Sequence, residues 1–344
     1  MRTSKTVSAI ELCDKEMTQI RRLVNRSGFG PNEQTQQYLD SQEITIDGRI
    51  AEGDDYVEIG TVIKIRGNAY AVKGLSPKGP HWLEAHDPIP EKIQGKRRVH
   101  CGYHKCLTML TRRVFEETCL KNKRYHGQFR HFYHRDDLYY REAEYYPFAS
   151  VSGACLDLDR FEDIKVSRFI RDPRDLVVSG YYYHKREAEH WCKIKSPHEF
   201  EWRIVNGSLP KQLPKDRSLA EYLAEAPIEE GLAAEIEFRQ KHFESMLQWD
   251  LNDPRVRLYK YEEIVGNETR IFRDIFSFWG VPLGFRLAAM KRVKKRGIKK
   301  SKDTYKHIRD PRSGQWREHF TPALKKIFNE RWGRLLEMYG YPLD

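Results

Sequence analysis

Two stretches of this sequence set cationic and hydroxyl side chains where a β-strand hands over to a helix. The first is Val99-His-Cys-Gly-Tyr-His-Lys-Cys-Leu-Thr-Met-Leu110. Arg98-Val-His-Cys101 reads as a strand and Leu107 to Leu120 as a helix, with Gly102, Lys105 and Thr108 about the loop between them. The first N–H groups of a helix have no intrahelical partner, so a lysine and a hydroxyl beside them could cradle a phosphate. The spacing is not that of a Walker A loop, and alone the stretch fits an ordinary strand–loop–helix junction equally well. The second stretch is Phe169-Ile-Arg-Asp-Pro-Arg-Asp-Leu-Val-Val-Ser-Gly-Tyr-Tyr-Tyr183. Ile164, Val166 and Phe169-Ile170 supply a buried strand that delivers Arg171 at its carboxyl end. Asp172 stands at an N-cap, Pro173 at the first helical position, and Asp175 three residues after the cap. Ser179 adds a hydroxyl two turns into that helix. The plain alternative is a strand–helix junction with an exposed arginine.

The elements that must position these residues follow from the pattern around them. From Arg97 onward strands alternate with helices, which predicts a parallel sheet. Val256 to Lys260 is a further strand. Ser218 caps a helix through Leu223, and a second helix is expected from about Glu229 to Trp249. Glu268 to Trp279 turns Ile271, Ile275 and Phe276 inward, and a last helix runs from Pro322 to Tyr339. Residues 121 to 150 show no clear period. Residues 195 to 217, with Pro197, Pro210 and Pro214, read as an insert or lid. Ahead of this domain, residues 43 to 73 suggest two hairpins with turns at Asp47-Gly48 and Gly67-Asn68. An amphipathic helix is expected near Ile10 to Val24, and four prolines between 75 and 95 mark a linker or arm. The expected organisation is a small β-rich extension with its linker over 1–95 and an α/β domain over 96–344.

Composition narrows the class. The 344 residues are 39% hydrophobic and 32% charged, which is globular, and no apolar run approaches the length of a membrane span. The first residues lack the apolar core of a signal peptide. The six cysteines show no metal-finger spacing and read as reduced thiols, so the expected location is cytoplasmic. A net charge of +11 points to an anionic partner without separating nucleic acid, a phosphorylated cofactor or an acidic acceptor.

Taken together, the two junctions resemble the sulfotransferase family, which uses 3′-phosphoadenosine-5′-phosphosulfate (PAPS) as donor. Lys105, Cys106 and Thr108 match the family's first loop, of the form H-K-C-x-T, which binds the 5′-phosphosulfate. Arg171 and Ser179 match without a gap its R-D-P-R-D-x-x-x-S motif, which holds the 3′-phosphate. Ser218-Leu-Ala-Glu-Tyr-Leu223 followed by Glu230-Gly-Leu232 resembles a connecting helix pair of the family. Tyr259-Lys-Tyr-Glu-Glu-Ile264 and Phe278-Trp-Gly-Val-Pro282 are similar to its Y-E-D-L and F-L-G-V-P segments. Arg309-Asp-Pro-Arg-Ser-Gly-Gln-Trp-Arg-Glu-His-Phe-Thr321 is similar to the loop that closes over the donor nucleotide, with Arg309 and Gly314 matched. The resemblance covers about 97 to 344. Leu107 and Pro311 depart from it, each standing where the family usually has glycine. The fold it implies is a three-layer, P-loop-like α/β sulfotransferase fold around a central parallel sheet.

The implied activity is metal-independent, in-line transfer of a sulfuryl group from PAPS to an acceptor hydroxyl or amine on a small molecule or carbohydrate. Lys105 would neutralise the bridging oxygen as its bond to sulfur breaks. The general base is expected between the two motifs, where His126, His131, His134, Asp136, Glu142 and Glu144 are candidates. His134 is favoured for its His-Arg-Asp context, and His104 and His184 also lie near the expected site. His126, His131 and His134 lack the supporting ligands of a metal site. The basic run Lys291 to Lys302 reads as a contact for donor phosphates or an acidic acceptor, ahead of a solvated face. The rival readings are a P-loop kinase and a basic nucleic-acid-binding protein. The kinase would need a Walker A lysine and a magnesium-binding acid after a strand, and the sequence offers neither; the nucleic-acid reading gives Arg171 and Ser179 no role. The partners expected are PAPS, its product PAP and the acceptor, with no membrane, no nucleic acid, and homo-oligomerisation open.

Overall fold

The structure is a computed structural model and describes residues 17–29, 32–75, 82–86, 88–197, 202, 205–298 and 309–344. The chain divides into two compact units, Met1–Ile89 and Pro90–Asp344. In the first, β1 (Met17–Gln19) pairs with β4 (Tyr56–Glu58). β2 (Ile44–Ile46), β3 (Arg49–Ile50), β5 (Val62–Ile65), β6 (Asn68–Gly74) and β7 (Trp82–Ala85) form an antiparallel sheet in the order β3-β2-β5-β6-β7. Asp47-Gly48 closes its hairpin with both φ angles positive, the signature of a twist-matched turn. The second tight turn uses Arg66-Gly67 in the same conformation, one residue before the expected position. β7 lies in the stretch the prolines marked as linker. α1 (Ile20–Val24) and α2 (Asn32–Asp40) complete the unit; the earlier part of the helix expected from Ile10 lies outside the described residues.

The second unit is built on five parallel strands: β8 (Ile93–Gly102), β9 (Phe129–Tyr133), β10 (Phe148–Ser152), β11 (Phe161–Ile170) and β12 (Val256–Lys260). Their order is β12-β11-β8-β10-β9, with Val166 opposite Val99 and Arg168 opposite Cys101. Successive side chains on a strand point to opposite faces, and here the two faces carry different chemistry. His100 and Phe169 stack edge to face, centroids 4.5 Å apart, and belong to an aromatic layer with Phe115 and Phe272. Arg168 points the other way, lying 4.1 Å over the Trp249 ring and donating to the Tyr339 hydroxyl. The first layer comes from α3 (Thr108–Leu120), α10 (Glu268–Phe278) and α11 (Leu283–Arg296). The second is built from α5 (Pro173–Lys185), α6 (Leu219–Glu225), α7 (Ile228–Phe238), α8 (Gln240–Leu247) and α13 (Pro322–Met338), and the short α9 (Tyr261–Ile264) follows β12. This is the expected three-layer α/β fold.

Three differences from the sequence reading have local causes. The stretch without a clear period holds β9, α4 (Asp136–Glu142) and β10, all short, and both strands are largely buried, so alternation is erased. The helix expected as one piece from about Glu229 is broken at Arg239 into α7 and α8. The basic run begins inside α11, whose inward residues Phe285, Ala289 and Val293 recur at every fourth position.

Chain direction decides where ligands can bind. β8 leads away to β9 on one side of the sheet and β11 leads to β12 on the other. The crevice beyond the carboxyl ends of β8 and β11 is therefore a topological switch point. Both helices that start there, α3 and α5, present their N-termini to it. α5 is anchored by Asp172, which caps Arg174 N and grips the Arg174 guanidinium at 3.0 and 2.8 Å. Asp175 accepts from Gly314 N at 2.6 Å and Trp316 N at 3.0 Å, holding the loop before α12 (Trp316–His319) against α5. Asp175→Ala leaves those amides without their acceptor and should cost about 2–3 kcal/mol. Chemical denaturation checks this; an unchanged midpoint would mean the loop is held by other contacts.

Candidate active site

A cavity of about 420 Å³ opens at the switch point, and Lys105, Thr108, Arg171, Ser179 and Arg309 all line it. Its wall also carries Arg113, Arg186 and Arg296, so six cationic side chains face two acidic ones, Glu189 and Asp310. Such a wall favours an anionic guest.

The loop after β8 is closed by Tyr103, whose carbonyl accepts from Cys106 N at 2.9 Å and from the Thr108 hydroxyl at 3.1 Å. Lys105 and Leu107 both take left-handed backbone, φ 72° and 61°. Left-handed backbone costs an L-residue about 1–2 kcal/mol, and Leu107 is the position where glycine was expected. The Leu107 carbonyl then receives Leu110 N and Thr111 N, starting α3. The Lys105 ammonium lies 3.5 Å over the centroid of the Tyr183 ring. Burial, reinforced by Arg186, Arg239 and Arg171 and opposed by Glu189, pulls its pKa down to about 7. Cys106, matched to the same loop, is different. Its side chain is wholly buried in the core and does not line the cavity, because the left-handed residues on either side turn it inward.

Arg171 leaves the end of β11 only 3% exposed. It donates to the Arg312 carbonyl at 3.0 Å, lies 4.2 Å over the Tyr261 ring and is 3.8 Å from Asp175. Its Nε has no hydrogen-bond partner among the described residues. A buried guanidinium with an unused donor on a cavity wall fits a bound anion. Arg309 lies 4.1 Å over the Tyr182 ring and is hydrogen-bonded to Gln315. Gly314, expected at the donor, does not line the cavity: its N–H is taken by Asp175, and its φ of 79° is what the turn needs from a glycine. Pro311 contributes its carbonyl, which accepts from the Tyr261 hydroxyl at 3.0 Å.

The sulfotransferase domain model matches residues 160–340, more than half of the sequence, taking in β11, Arg171, Ser179 and the loop from Arg309. The chain belongs to the sulfotransferase family. No curated protein sequence matches it. Among solved structures it is similar to mouse sulfotransferase SULT7A1 complexed with PAP, 15% identical over 72% of this chain and 87% of that one, TM-score 0.44. It is also similar to retinol dehydratase in complex with androsterone and inactive cofactor PAP, 16% identical over 78% and 89%, TM-score 0.38. A third is a sulfotransferase from Alicyclobacillus acidocaldarius, 13% identical over 73% and 98%, TM-score 0.34. The family match gives no support to the kinase or nucleic-acid readings.

Within this sulfotransferase the candidates for a base separate by position. His134 lines the cavity in left-handed backbone, φ 48°, and donates its N–H to the Ser152 carbonyl at 3.1 Å. Burial pulls its imidazole down to about 3, and its Nδ1 has no partner among the described residues. The other candidates between the motifs do not line the cavity. His126 is exposed and bonded to the Leu120 carbonyl, His131 is buried against the Ser150 hydroxyl, and Glu142 is buried 3.7 Å from Arg130. Asp136 begins α4, and Glu144 is exposed. His104 lines the cavity, whereas His184 lies behind it, 2.8 Å from Glu235. Tyr183, Arg186 and Glu189 were not singled out from sequence, yet Tyr183 follows Ser179 at i+4 on one face of α5, and Arg186, the C-cap of that helix, follows at i+7. Of the basic run, Arg296 reaches the wall, where it is paired with Glu117; residues 299–302 lie outside the described residues.

A lysine whose pKa falls to about 7 is largely unprotonated at pH 8, where exposed lysines remain charged. Reductive methylation followed by mass spectrometry should label Lys105 ahead of the exposed Lys294 and Lys295 at that pH, with a midpoint near neutrality. Labelling only above pH 9 would contradict the depressed pKa.

Proposed function

We propose that this sulfotransferase moves a sulfuryl group from PAPS to the hydroxyl of a small-molecule or carbohydrate acceptor, in the cytoplasm and without a metal. In this reading Arg171 and Ser179 hold the 3′-phosphate, Arg309 closes over the nucleotide, and Lys105 and Thr108 hold the sulfuryl end. The acceptor oxygen forms its bond to sulfur as the sulfur–oxygen bond to the 5′-phosphate breaks. The bridging electron pair stays with PAP beside Lys105, and the acceptor's proton goes to His134. A loose transition state of this kind leaves the protein mainly positioning and charge to supply. An anion beside the wall also favours a protonated imidazole, offsetting the burial that weakens His134 as a base.

The observation that carries the reading is that two junctions about 65 residues apart in sequence bring their cations and hydroxyls to one cavity at the switch point. In Thr108 the hydroxyl donates to the Tyr103 carbonyl, so donating to the sulfuryl end exchanges that hydrogen bond for one to the donor. Distance along α5 orders the site. Ser179 to Arg186 is seven residues, roughly 10 Å of helix axis, enough to separate a 3′-phosphate end from an acceptor end lined by Tyr183, Arg186, Glu189 and His134.

Calorimetric titration with PAP, with 5′-AMP as control, tests the donor site. PAP should bind roughly 10- to 100-fold more tightly than 5′-AMP, the worth of charged hydrogen bonds to one phosphate. Arg171→Ala should erase that preference; equal binding of both nucleotides by the native protein would refute the reading. His134→Asn should leave PAP affinity intact and lower kcat about 100-fold or more with a hydroxyl acceptor. Unchanged kcat would remove His134 as the base.

A further inference from the structure

We propose that Glu235, Arg239 and His184 form a buried cluster that positions Lys105 by clamping its neighbour His104. The proposal rests on Lys105 being the cation at the sulfuryl end. All three cluster residues are fully buried. Glu235 spends one carboxylate oxygen on His184 Nδ1 at 2.8 Å and the other on Arg239 Nε at 2.9 Å. Arg239 stands at the break between α7 and α8 and directs Nη1 to the His104 carbonyl, a long contact of 3.5 Å. From the other side, the His104 ring lies parallel to His184, 10° between planes and 5.4 Å between centroids. His104 is thus held at its ring and at its carbonyl, and the carbonyl belongs to the peptide that leads into Lys105.

The approach of α5 to this cluster is deliberate in the sequence. A Cβ at Gly180 would collide with the Glu235 carboxylate and the Arg239 guanidinium. Gly180 adjoins Ser179 and precedes His184 by one turn, so the helix that carries Ser179 is the one pinned here. A buried charge cluster is a costly way to gain stability, because desolvation offsets its attraction. It is a good way to fix geometry, and the loop needs fixing: Lys105 and Leu107 both sit in backbone that surrounding structure must enforce. Arg239 also acts on Lys105 through space. The groups bearing on the ammonium are Tyr183 from α5, Arg186 at its C-cap, Glu189 beyond it, Arg171 from the end of β11, Arg239 from the helix break, and His104 in its own loop. Of these, Arg239 connects position to charge.

The test uses the full chain and the variants Glu235→Gln and Arg239→Met, with Lys105 methylation followed against pH and with titrations of PAP, PAPS and 5′-AMP. Expected results are a Lys105 midpoint displaced upward in Arg239→Met, where a facing positive charge is lost. Affinity for PAPS should fall at least severalfold in both variants, while the preference for PAP over 5′-AMP is kept. His104→Ala should reproduce the loss of PAPS affinity and His104→Phe, which keeps the ring contact, should restore it, so a failure of the buried variants to fold leaves the test standing. An unmoved Lys105 midpoint together with unchanged PAPS affinity in these variants would overturn the proposal. If the native protein itself fails to prefer PAP over 5′-AMP, the donor reading fails, and the Lys105 midpoint still reports on the cluster.

Discussion

The structure depends on keeping several positive charges together, partly out of water, without cancelling them in advance. Like charges in one cavity repel, and burial disfavours each of them. Around Lys105, Arg171 and Arg309 the chain meets this cost with aromatic faces and neutral oxygens. Lys105 lies on Tyr183, Arg171 on Tyr261 and Arg309 on Tyr182, and Arg174, in the first turn of α5, lies on Trp316. A ring face stabilises a cation modestly and leaves its outward donors available, whereas a close carboxylate would compete with any incoming anion. The nearest carboxylate to Arg171, that of Asp175, stands off at 3.8 Å and is occupied by two backbone amides. Asp172 serves Arg174 and the helix cap instead.

α5 is the beam on which this arrangement is hung. Its first turn fixes Arg171 and receives the late loop through Asp175; its middle carries Ser179; its last turns carry Tyr183, against which Lys105 rests, and His184, which ties it to Glu235. Phosphate site, lysine loop and closing loop therefore answer to one rigid element. That is economical for in-line transfer, where small errors in placement cost large factors in rate. It also means that a change at Gly180, remote from the reacting atoms, bears on all three.

How much of this was legible in the sequence follows from which interactions are local. The cap at Asp172, Pro173 at the first helical position, the Val256–Lys260 strand and the Glu268–Phe278 helix are written in neighbouring residues, and each stands within a residue or so of its expected place. Short elements inside residues 121–150 were hidden because β10 is buried throughout and carries no alternation. Placement of side chains was least legible. That Lys105 faces the cavity while Cys106 faces the core depends on two left-handed residues in a loop whose sequence offers leucine where glycine would announce the turn. Glu235 and Arg239 have the i, i+4 spacing of helix partners, but His184 joins them from another helix about 50 residues away, and nothing in the local spacing marks that contact.

The departures from the family's glycines show what those positions require. At Leu107 the need is a left-handed φ that lets one carbonyl start α3, and leucine meets it with strain that the surrounding packing must absorb. At Pro311 the need is a carbonyl aimed at Tyr261, and proline, which lacks only the N–H, supplies it without loss. Gly314 is kept where a positive φ and an N–H to Asp175 are both required. Glycine therefore persists where a positive φ and an N–H donor coincide, and it gives way at Leu107, where the φ is what the turn needs, and at Pro311, where neither is needed. By the same logic, the two substitutions alter the shape of the turns and leave the charged and hydroxyl side chains on the cavity wall.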